Sequence, residues 1–373
     1  MSHLFSPYTL RSAQAELQLP NRWVIAPMCQ YSAQDGLAND WHLAHWVNML
    51  NAGAGLFIIE ATAVSAIGRI TPGCLGLWND ACAQAFGDLL RRARQQAPAT
   101  PVCLQLAHAG RKGSSAEPWN GGAQIAIDAG GWLCQAPSAL AHAQGELPPQ
   151  AMSLADIAQL REDFKAAAQR AAQAGVDALE LHGAHGYLLH QFLSPLANQR
   201  EDAYGGDFDG RTRLLRELLD DVSSVFAGPV GVRLSATDWV DGGWGPEDTV
   251  RLSHLLQDAG AAYIHISTAG VSPLQKIPVA PGFQLPFAQQ VKAATGITTI
   301  GVGMITEPQQ AEQALADGQA DLIALARGVL FNPRWGWQAA AELGGQVSAS
   351  PQYLRALPAQ ARGIFGDFRF GQR

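Results

Sequence analysis

The stretch that decides the fold reads Ala178-Leu179-Glu180-Leu181-His182-Gly183-Ala184-His185-Gly186-Tyr187. The apolar run 176–181 is typical of a buried strand, and His182, His185 and Tyr187 follow where that strand ends. Histidine offers N–H donors to an oxygen, and tyrosine carries a proton with an unperturbed pKa of about 10. The set predicts a site that polarises a carbonyl and protonates the neighbouring carbon. Two other interpretations fit the same histidines, namely core packing and a pair of metal ligands.

Seven further apolar runs have the length and the borders of buried parallel strands. Each is four or five residues long and is bounded by glycine, proline or polar residues. They cover residues 23–26, 56–60, 102–106, 230–234, 263–266, 297–300 and 321–325. With the run 176–181, the sequence predicts eight strands.

Helical patterns with recognisable ends alternate with these strands. Residues 153–174 open with a cap-like Ser153 and Asp156 and stop at Gly175. The other patterns cover residues 41–51, 79–96, 211–226, 246–259 and 308–317. The alternation continues without a break in composition, which predicts one α/β domain over residues 1–373, a single (β/α)8 TIM barrel. A doubly wound open sheet is the competing fold.

The longest interval between predicted strands, residues 107–175, is too long for one helix. Its segment 112–149 is rich in glycine, proline and small residues, so we assign it to an excursion over the barrel mouth after the third strand. At the start of this interval we interpret His108 as structural and Lys112 as an electrostatic neighbour of the site.

Composition limits the class of function. The 373 residues are 47% hydrophobic and 15% charged, as in a globular protein with a large core. The net charge of −7 and the absence of a basic cluster argue against a nucleic-acid or anionic-membrane partner. No stretch approaches 18 uninterrupted apolar residues, and residues 1–12 lack the pattern of a secretion signal. We therefore expect a cytoplasmic protein.

The chain has five cysteines, an odd number, and none is paired as C-x-x-C. Neither a disulfide framework nor a zinc ribbon is predicted. At least one cysteine is expected to be present for its thiol. The five are Cys29, Cys74, Cys82, Cys103 and Cys134.

In a parallel barrel the active site lies at the C-terminal ends of the strands. Polar residues follow most of the predicted strands there: Cys29, Tyr31, Glu60, Gln105, His108, Arg111, His182, His185, Tyr187, Arg233, Ser267 and Arg327. The last two strands are followed by Gly301-Val302-Gly303 and by Arg327. Backbone N–H groups at such glycines approach an anion closely, and arginine adds a bidentate fork, so this pattern favours a phosphate site.

Five ordered motifs run through the same regions. They are Ala26-Pro27-Met28-Cys29-x-Tyr31, Gln105-Leu106-x-His108-Ala109-Gly110-Arg111-Lys112, Glu180-Leu181-His182-x-Ala184-His185-Gly186-Tyr187-Leu188, Ser194-Pro195-x-x-Asn198-x-Arg200-x-Asp202-x-Tyr204-Gly205-Gly206 and Asp321-Leu322-Ile323-x-x-x-Arg327. With these motifs the sequence resembles the old yellow enzyme family of FMN-dependent ene-reductases, and most of all its YqjM-like, thermophilic-like bacterial branch. The resemblance runs from about residue 6 to residue 334, and more weakly to residue 355.

The resemblance implies tightly but non-covalently bound FMN over the barrel mouth, with NADPH or NADH as reductant. The phosphate would lie at Gly303 and Arg327. Arg233 would face the pyrimidine edge, Gln105 would donate and accept along it, and the Ala61 backbone would approach the reactive nitrogen. An ion pair inside the barrel is the alternative for Arg233. The further cofactor-binding residues implied are Ala26, Pro27, Met28, Cys29, His182 and Ala326.

The resemblance also implies a small activated alkene as substrate, such as an enone, a nitroalkene or a maleimide. His182 and His185 would hold its carbonyl or nitro oxygen, hydride would pass from the flavin to the β-carbon, and Tyr187 would protonate the α-carbon. Cys29 would lie beside the flavin and touch the substrate, and Tyr31 would hydrogen-bond the substrate oxygen. The alternative for Cys29 is an inert buried thiol.

Near the end of the chain, Gln352-Tyr353-Leu354-Arg355 resembles the segment that this branch inserts into a neighbouring subunit. It implies a homodimer or homotetramer in which a tail of about residues 345–373 carries Arg355 to the neighbouring substrate site. Residues 356–358 depart from the glycine and tryptophan of the branch, and a solvated arginine is the alternative.

Four other functions compete with the ene-reductase. A metal-dependent barrel hydrolase would use His182 and His185 as zinc ligands, but it needs further ligands from other strand ends, and we predict no metal. A Schiff-base aldolase needs a lysine at a strand end, and none of the four lysines stands there. A dienoyl-CoA-type reductase needs a cysteine cluster and a further domain. The non-enzyme alternative is a flavin-binding sensor.

Overall fold

The computed structural model describes residues 2–356, 358, 361 and 363–366. In chain order the strands are β1 (Tyr8–Arg11), β2 (Glu16–Leu19), β3 (Trp23–Ile25), β4 (Leu56–Ala63), β5 (Val102–Ala107), β6 (Gln135–Ala136), β7 (Gln150–Ala151), β8 (Ala178–Gly183), β9 (Val230–Ser235), β10 (Ile264–Ser267), β11 (Thr299–Gly301) and β12 (Leu322–Leu325). The α-helices are α1 (Asp40–Leu50), α2 (Asp80–Arg94), α3 (Leu154–Ala174), α4 (Leu188–Leu193), α5 (Phe208–Ser223), α6 (Pro246–Asp258), α7 (Leu285–Thr295), α8 (Pro308–Ala316), α9 (Arg327–Phe331) and α10 (Trp335–Leu343). None of the helices described is long and apolar enough to span a bilayer.

Eight strands close into one parallel barrel in the order β3-β4-β5-β8-β9-β10-β11-β12. Chain order and spatial order coincide, and a helix follows each barrel strand, so the (β/α)8 prediction is confirmed. The competing open sheet is wrong because the sheet closes on itself. The predicted strand positions are correct to within about two or three residues: β4 runs on to Ala63, whereas β11 begins only at Thr299.

The helix that leads into β8 has the predicted ends. The backbone N–H of Asp156 donates to the Ser153 hydroxyl at 3.2 Å, and the Ser153 N–H donates to the Asp156 carboxylate at 2.8 Å. This capping box satisfies donors that the first helical turn leaves free. At the other end Gly175 adopts a φ of +81°, which glycine does without steric cost. The helix therefore stops where β8 must begin.

Several elements were not predicted, namely α4, α7, α9, α10 and the short strands outside the barrel, β1, β2, β6 and β7. Helix α7 fills the connection between β10 and β11, for which the sequence analysis proposed no helix. An antiparallel hairpin, β1–β2, precedes the barrel and buries Leu10 and Leu19 in one cluster with Val24 and Tyr263, which belong to the barrel interior. The hairpin thereby closes the N-terminal end of the barrel, and the opposite end is left for the site.

The predicted excursion, residues 112–149, lies over the barrel mouth. It contains short 3₁₀ turns and ends in the two-residue parallel pair of β6 with β7. Trp119 in this segment packs edge-on against Tyr31, with ring centroids 5.8 Å apart. A cavity of about 240 Å³ lies between the excursion and two residues of the strand ends, Tyr31 and Tyr187.

Candidate active site

The loop after β3 carries Cys29 and Tyr31, two residues expected to touch the substrate. The Tyr31 hydroxyl lies near the Cys29 thiol, and the Tyr31 backbone is left-handed, with a φ of 50°. Burial raises the pKa of Cys29 well above its ordinary value and also raises the pKa of Tyr31. Both groups therefore keep their protons at neutral pH, and Cys29 is a thiol rather than a thiolate.

Glu60 on β4 holds this loop in place. The backbone N–H of Gln30 donates to Glu60 Oε2 over 2.8 Å, and Glu60 Oε1 lies 3.7 Å from His42 Nε2. Glu60 and His42 are buried, and burial raises the pKa of Glu60 to about 8 and lowers that of His42 to about 4. At neutral pH His42 is neutral and Glu60 is mostly protonated. The sequence analysis placed Glu60 on the rim but assigned it no role.

Strand β8 delivers His182, and the loop that follows carries His185 and Tyr187. The ring centroid of His182 lies 5.2 Å from that of His185 and 5.0 Å from that of Tyr187. Burial, followed by the charge of Arg233, lowers the pKa of both histidines well below the ordinary value. Burial also raises the pKa of Tyr187. The structure thus brings the three predicted residues together as two neutral imidazoles beside a protonated phenol.

Hydrogen bonds occupy one nitrogen of each imidazole. The backbone N–H of Ala184 points at His182 Nδ1 over 3.4 Å, which leaves Nε2 of that ring free. Nε2 of His185 lies 2.7 Å from Oγ of Ser267, the last residue of β10, which leaves its Nδ1 free. Ser267 was expected at the rim, but its partner was not predicted.

The backbone of His185 is held in an unusual conformation. Its φ of 60° lies in the left-handed region, which is costly for a side chain with a Cβ atom. Its N–H donates to Ser235 Oγ over 2.9 Å, and its carbonyl oxygen accepts from Lys112 Nζ over 2.9 Å. The same Nζ donates to the carbonyl of Gly270 over 3.0 Å. Lys112 therefore ties the loop after β8 to the loop after β10.

The Lys112 ammonium also lies over an aromatic ring. Its Nζ is 5.1 Å from the ring centroid of Tyr187, within cation–π range. Burial, followed by the charge of Arg111, lowers the pKa of Lys112 to about 8. This position agrees with its interpretation as an electrostatic neighbour of the site.

Inside the barrel, Gln105, Glu180 and His265 form a buried chain of hydrogen bonds. Gln105 Nε2 donates to Glu180 Oε1 over 2.7 Å, and His265 Nδ1 lies 2.9 Å from Glu180 Oε2. Burial alone would raise the pKa of Glu180, but His265 and then Arg233 outweigh it and hold that pKa below its ordinary value. Burial and the charge of Arg233 lower the pKa of His265. The pair is therefore a carboxylate that accepts from a neutral imidazole.

Sequence reasoning missed the roles of Glu180 and His265, although a pattern pointed to both. Alternate residues of a strand share one face. Glu180 stands two positions before His182 on β8, and His265 stands two positions before Ser267 on β10. Both therefore point into the barrel on the same side as a predicted site residue.

Arg233 lies in register between His182 on β8 and His265 on β10. Its side chain is buried, yet it makes no hydrogen bond or ion pair with any residue that the structure describes. The ion pair considered as an alternative for this residue is therefore not formed as a direct contact. A buried guanidinium without an acceptor is costly and indicates a ligand that presents oxygen or nitrogen lone pairs.

Three predicted cofactor residues stand at the last two strand ends. Gly303 has a φ of +125°, where a side chain would be strained, and a Cβ atom there would lie 2.8 Å from Gln284 Nε2. Ala326 precedes α9, and Arg327, its first residue, has an exposed side chain without an ion pair to any described residue. The backbone conformation and the nearby Gln284 side chain thus require glycine at position 303, and the exposed Arg327 stands at the end of the neighbouring strand.

The remaining cofactor residues line the first two strand ends. The N–H of Ala26 donates to the carbonyl of Leu325 over 2.9 Å, which continues the β3–β12 pairing. Pro27 and Met28 lead from there into the loop of Cys29. Ala61 lies where the β4–β5 ladder skips between Ile59 and Thr62, so its backbone is released from regular pairing.

Arg355 is not brought to this site within the chain. It follows a 3₁₀ turn, Pro351–Tyr353, has an exposed side chain, and makes no hydrogen bond or ion pair with a described residue. Before it, Ser350 binds the side chain of Asn51 at the end of α1, over 2.7 Å. The predicted tail, residues 345–373, falls partly outside the described residues.

The donor set fits the pyrimidine edge of a flavin, on which carbonyl oxygens alternate with ring nitrogens. Glu180 accepts one N–H of the Gln105 amide, so Gln105 offers its carbonyl Oε1 and its second N–H, and Arg233 offers N–H donors that no described residue accepts. A bare glycine backbone and the free Arg327 suit a phosphate. Among the described residues, no three His, Cys, Asp or Glu side chains are grouped so as to hold a metal ion.

Comparison with known proteins agrees with this fit. The sequence model of the NADH:flavin oxidoreductase / NADH oxidase family matches residues 3–345. An NADPH dehydrogenase of Listeria innocua is 41% identical over 358 residues, which covers 95% of this chain and 99% of that protein. An NADPH dehydrogenase of a Geobacillus species is 41% identical over 354 residues, 94% of this chain and 98% of that protein.

Solved structures show the same relationship. Morphinone reductase superposes on the chain with a TM-score of 0.75 at 28% identity, covering 94% of this chain and 92% of that one. The chain therefore belongs to the NADH:flavin oxidoreductase family, that of the old yellow enzymes, and is an oxidoreductase that works with FMN and NAD(P)H.

Proposed function

We propose that this enzyme is an ene-reductase, which reduces the C=C bond of small alkenes activated by a carbonyl or nitro group. Enones, nitroalkenes and maleimides are the substrate classes. Bound FMN supplies the hydride for the β-carbon and is itself reduced by NAD(P)H. One observation carries the proposal: two neutral imidazoles and a protonated phenol meet at the end of β8, with ring centroids 5.2 and 5.0 Å apart.

His182 and His185 bind the activating oxygen of the substrate. Each neutral ring has one nitrogen already occupied, His182 by the Ala184 N–H and His185 by Ser267. The two free nitrogens then serve as N–H donors to one oxygen. As hydride reaches the β-carbon, negative charge builds up on that oxygen and both hydrogen bonds strengthen. One such donor is typically worth about 3 to 4 kcal/mol in the transition state.

Tyr187 protonates the α-carbon. Its raised pKa keeps the phenol protonated across the neutral range, and its ring lies beside His182, which holds the oxygen of the same substrate. The Lys112 ammonium over the ring stabilises the phenolate that forms when the proton leaves. The proton donor and the oxygen-binding groups thus come from the end of β8 and the loop that follows it.

Cys29 and Tyr31 contact the substrate from the loop after β3. Both are protonated, so Tyr31 donates a hydrogen bond to the substrate oxygen and Cys29 offers a neutral thiol surface beside the flavin. The 240 Å³ cavity between Tyr31, Tyr187 and the excursion gives room for a small molecule.

FMN is held at the open end of the barrel. Gln105 and Arg233 bind the pyrimidine edge, and Gly303, Ala326 and Arg327 bind the phosphate. The other residues that line its site are Ala26, Pro27, Met28, Cys29, Ala61 and His182. The unpartnered guanidinium of Arg233 supports this placement most directly.

Two further proposals come from the resemblance. We propose a cytoplasmic homodimer or homotetramer in which Arg355 reaches the substrate site of the neighbouring subunit. The exposure of Arg355, away from the site of its own chain, is compatible with such a contact. A metal-dependent hydrolase is not favoured, because family membership points to flavin chemistry.

Product analysis under anaerobic conditions tests the proposal. The enzyme is incubated with NADPH and cyclohexenone, a nitroalkene and a maleimide, and the products are identified by mass spectrometry. Deuterium from NADPH labelled at C4 is expected at the β-carbon, and deuterium from D₂O at the α-carbon. NADPH oxidation by oxygen alone, with every alkene returned unchanged, would reject the ene-reductase.

A further inference from the structure

We propose that Ser267 is a positioning residue that sets the tautomer of His185. By donating its hydroxyl proton to Nε2, Ser267 confines the imidazole proton to Nδ1, where it can bind the substrate oxygen. The proposal rests on the proposed function and assigns a role to a residue outside the loop that carries the histidines.

A neutral histidine has one N–H group, so only one of its nitrogens can donate. His182 is buried and His185 is half-buried, and loss of hydration with the nearby charge of Arg233 disfavours the doubly protonated form of each ring. A site that binds an oxygen through two neutral imidazoles therefore needs both protons on the correct nitrogens. A wrong tautomer would present a lone pair to the substrate oxygen and repel it.

The contacts of each ring indicate which of its nitrogens carries no proton. The Ala184 N–H can only donate, so His182 Nδ1 is the acceptor and its proton lies on Nε2. For His185 the neighbour is a hydroxyl, Ser267 Oγ, at 2.7 Å from Nε2. A hydroxyl either donates or accepts, so the tautomer depends on where the Ser267 proton goes.

Only one other acceptor competes for that proton among the hydrogen bonds of Ser267. Gln284 Oε1 lies 3.4 Å away and already accepts from Thr268 Oγ1 at 2.7 Å. The orientation of the Gln284 amide is fixed, because its Nε2 donates to the carbonyl of Val302 over 3.1 Å. The contact with His185 is 0.7 Å shorter than the contact with Gln284. The two distances fit either direction of the His185 contact, so we assign the Ser267 proton to this shorter contact, and the ¹⁵N experiment below decides between the two directions.

The His185 ring cannot easily turn to avoid this partner. Ser235 accepts from its backbone N–H, and Lys112 donates to its carbonyl oxygen, so the left-handed backbone is fixed on both sides. Ser267 itself ends β10 and is nearly fully buried. With ring and hydroxyl both fixed, Nδ1–H of His185 and Nε2–H of His182 are the two donors left for a substrate.

The test uses the FMN-loaded enzyme with ¹⁵N-labelled histidine. Nitrogens that carry a proton and nitrogens that do not have well-separated ¹⁵N shifts, and H185Q identifies the signals of His185. The wild type is expected to show His185 protonated at Nδ1. In S267A the proton is expected to move wholly or partly to Nε2, and S267T, which keeps the hydroxyl, should restore the wild-type pattern.

Kinetics give a second readout. If the competent tautomer falls to about a fifth in S267A, the rate with cyclohexenone should fall about fivefold, since only that fraction of the enzyme can bind correctly. The matched control is S253A, which also removes a buried serine hydroxyl, one that donates to the Thr249 carbonyl over 2.7 Å within α6. S253A should change neither the ¹⁵N pattern nor the rate.

Two results would overturn the assignment: a wild-type His185 protonated at Nε2, or an S267A enzyme whose His185 keeps its proton on Nδ1. Neither result depends on turnover. An enzyme with Nδ1–H on His185 that reduces no alkene would instead reject the proposed function and leave the tautomer assignment standing.

Discussion

The side-chain amide of Gln105 donates through Nε2 to Oε1 of Glu180 over 2.7 Å, so its carbonyl oxygen and its second N–H are left for a ligand. A glutamine amide alone is compatible with either orientation. Here a buried carboxylate, held ionised by His265 and Arg233, decides between them. The same carboxylate supplies a negative charge close to the unpartnered Arg233.

Replacing Glu180 with glutamine should raise the reduction potential of bound FMN. E180Q removes a negative charge while Arg233 remains, and the more positive site favours the negative charge of reduced flavin. A shift of about 30 mV corresponds to 1.4 kcal/mol for a two-electron couple, and we expect at least this much. Spectroelectrochemistry of the loaded enzyme measures it. D321N, which removes a carboxylate paired with Lys292 at 2.9 Å, is the control, and an unchanged or lower potential in E180Q would contradict the placement.

Titration of Lys112 should make the rate of alkene reduction fall at alkaline pH. Its pKa is lowered to about 8, so the ammonium over Tyr187 loses its proton as the pH rises through that value. The rate of alkene reduction should then fall above about pH 8, and K112M should be slower throughout but lack this fall. K165M is the control, with an expected profile like that of the wild type. If the rate of K112M also falls near pH 8, the fall must come from the titration of another group.

The lowered pKa of Lys112 also predicts how the free energy of unfolding depends on pH. The folded protein loses the Lys112 proton near pH 8, whereas an unfolded lysine keeps it to about 10.5. Between these values the unfolded state binds more protons, so this lysine makes the free energy of unfolding rise with pH. The wild type should therefore gain stability relative to K112M from pH 8 to pH 10.5, as measured by denaturant unfolding at several pH values. If the difference in stability between the wild type and K112M does not change with pH, the pKa of Lys112 is not lowered.

Removing the Tyr187 hydroxyl should slow only the half of the cycle that consumes the alkene. Y187F leaves the oxygen-binding histidines in place, so NADPH should reduce the enzyme at the wild-type rate. Loss of a positioned proton donor typically costs about a hundredfold, and we expect such a fall in reoxidation by cyclohexenone. Stopped-flow absorbance separates the two halves. Y204F, which removes a hydroxyl bonded to Glu217 at 2.9 Å, is the control, and equal rates in Y187F and Y204F would assign the proton to water.

Replacing Arg327 should weaken the binding of FMN but not that of riboflavin, which lacks the phosphate. A charge-assisted hydrogen bond is worth about 1.5 to 3 kcal/mol, so R327A should weaken FMN binding by about tenfold or more. Riboflavin binding should stay unchanged, because only the phosphate is affected. R251A removes another exposed arginine, which pairs with Asp209 at 3.1 Å, and should affect neither ligand. Equal losses for both flavins in R327A would place the phosphate elsewhere.

Much of the architecture was predictable because it rests on local patterns. Short apolar runs such as residues 102–106 have no helical period, and Ser153 with Gly175 marks both ends of α3. Helix α7 was missed because a loop rich in proline and glycine precedes it and its N-cap residue, Gln284, is not one of the usual capping residues. The hairpin β1–β2 was missed because its strands mix polar and apolar residues and contain no continuous apolar run.

The site was predictable as a set of residues but not as a network. The strand ends indicated His182, Gln105, Arg233 and Ser267, because each follows or ends an apolar run. Their partners depend on distances across the barrel, between residues 75 to 85 positions apart in the case of Gln105, Glu180 and His265. A single sequence contains no information on such pairs. The same reason applies to Arg355, whose proposed partner belongs to another subunit.

The most direct test of the account is a visible absorption spectrum of the purified protein, followed by anaerobic addition of NADPH and then cyclohexenone. The account predicts flavin bands that bleach with NADPH and return in full with cyclohexenone. Bands that bleach but do not return with any activated alkene would contradict the ene-reductase. A protein that stays colourless after incubation with FMN would contradict the flavin site itself.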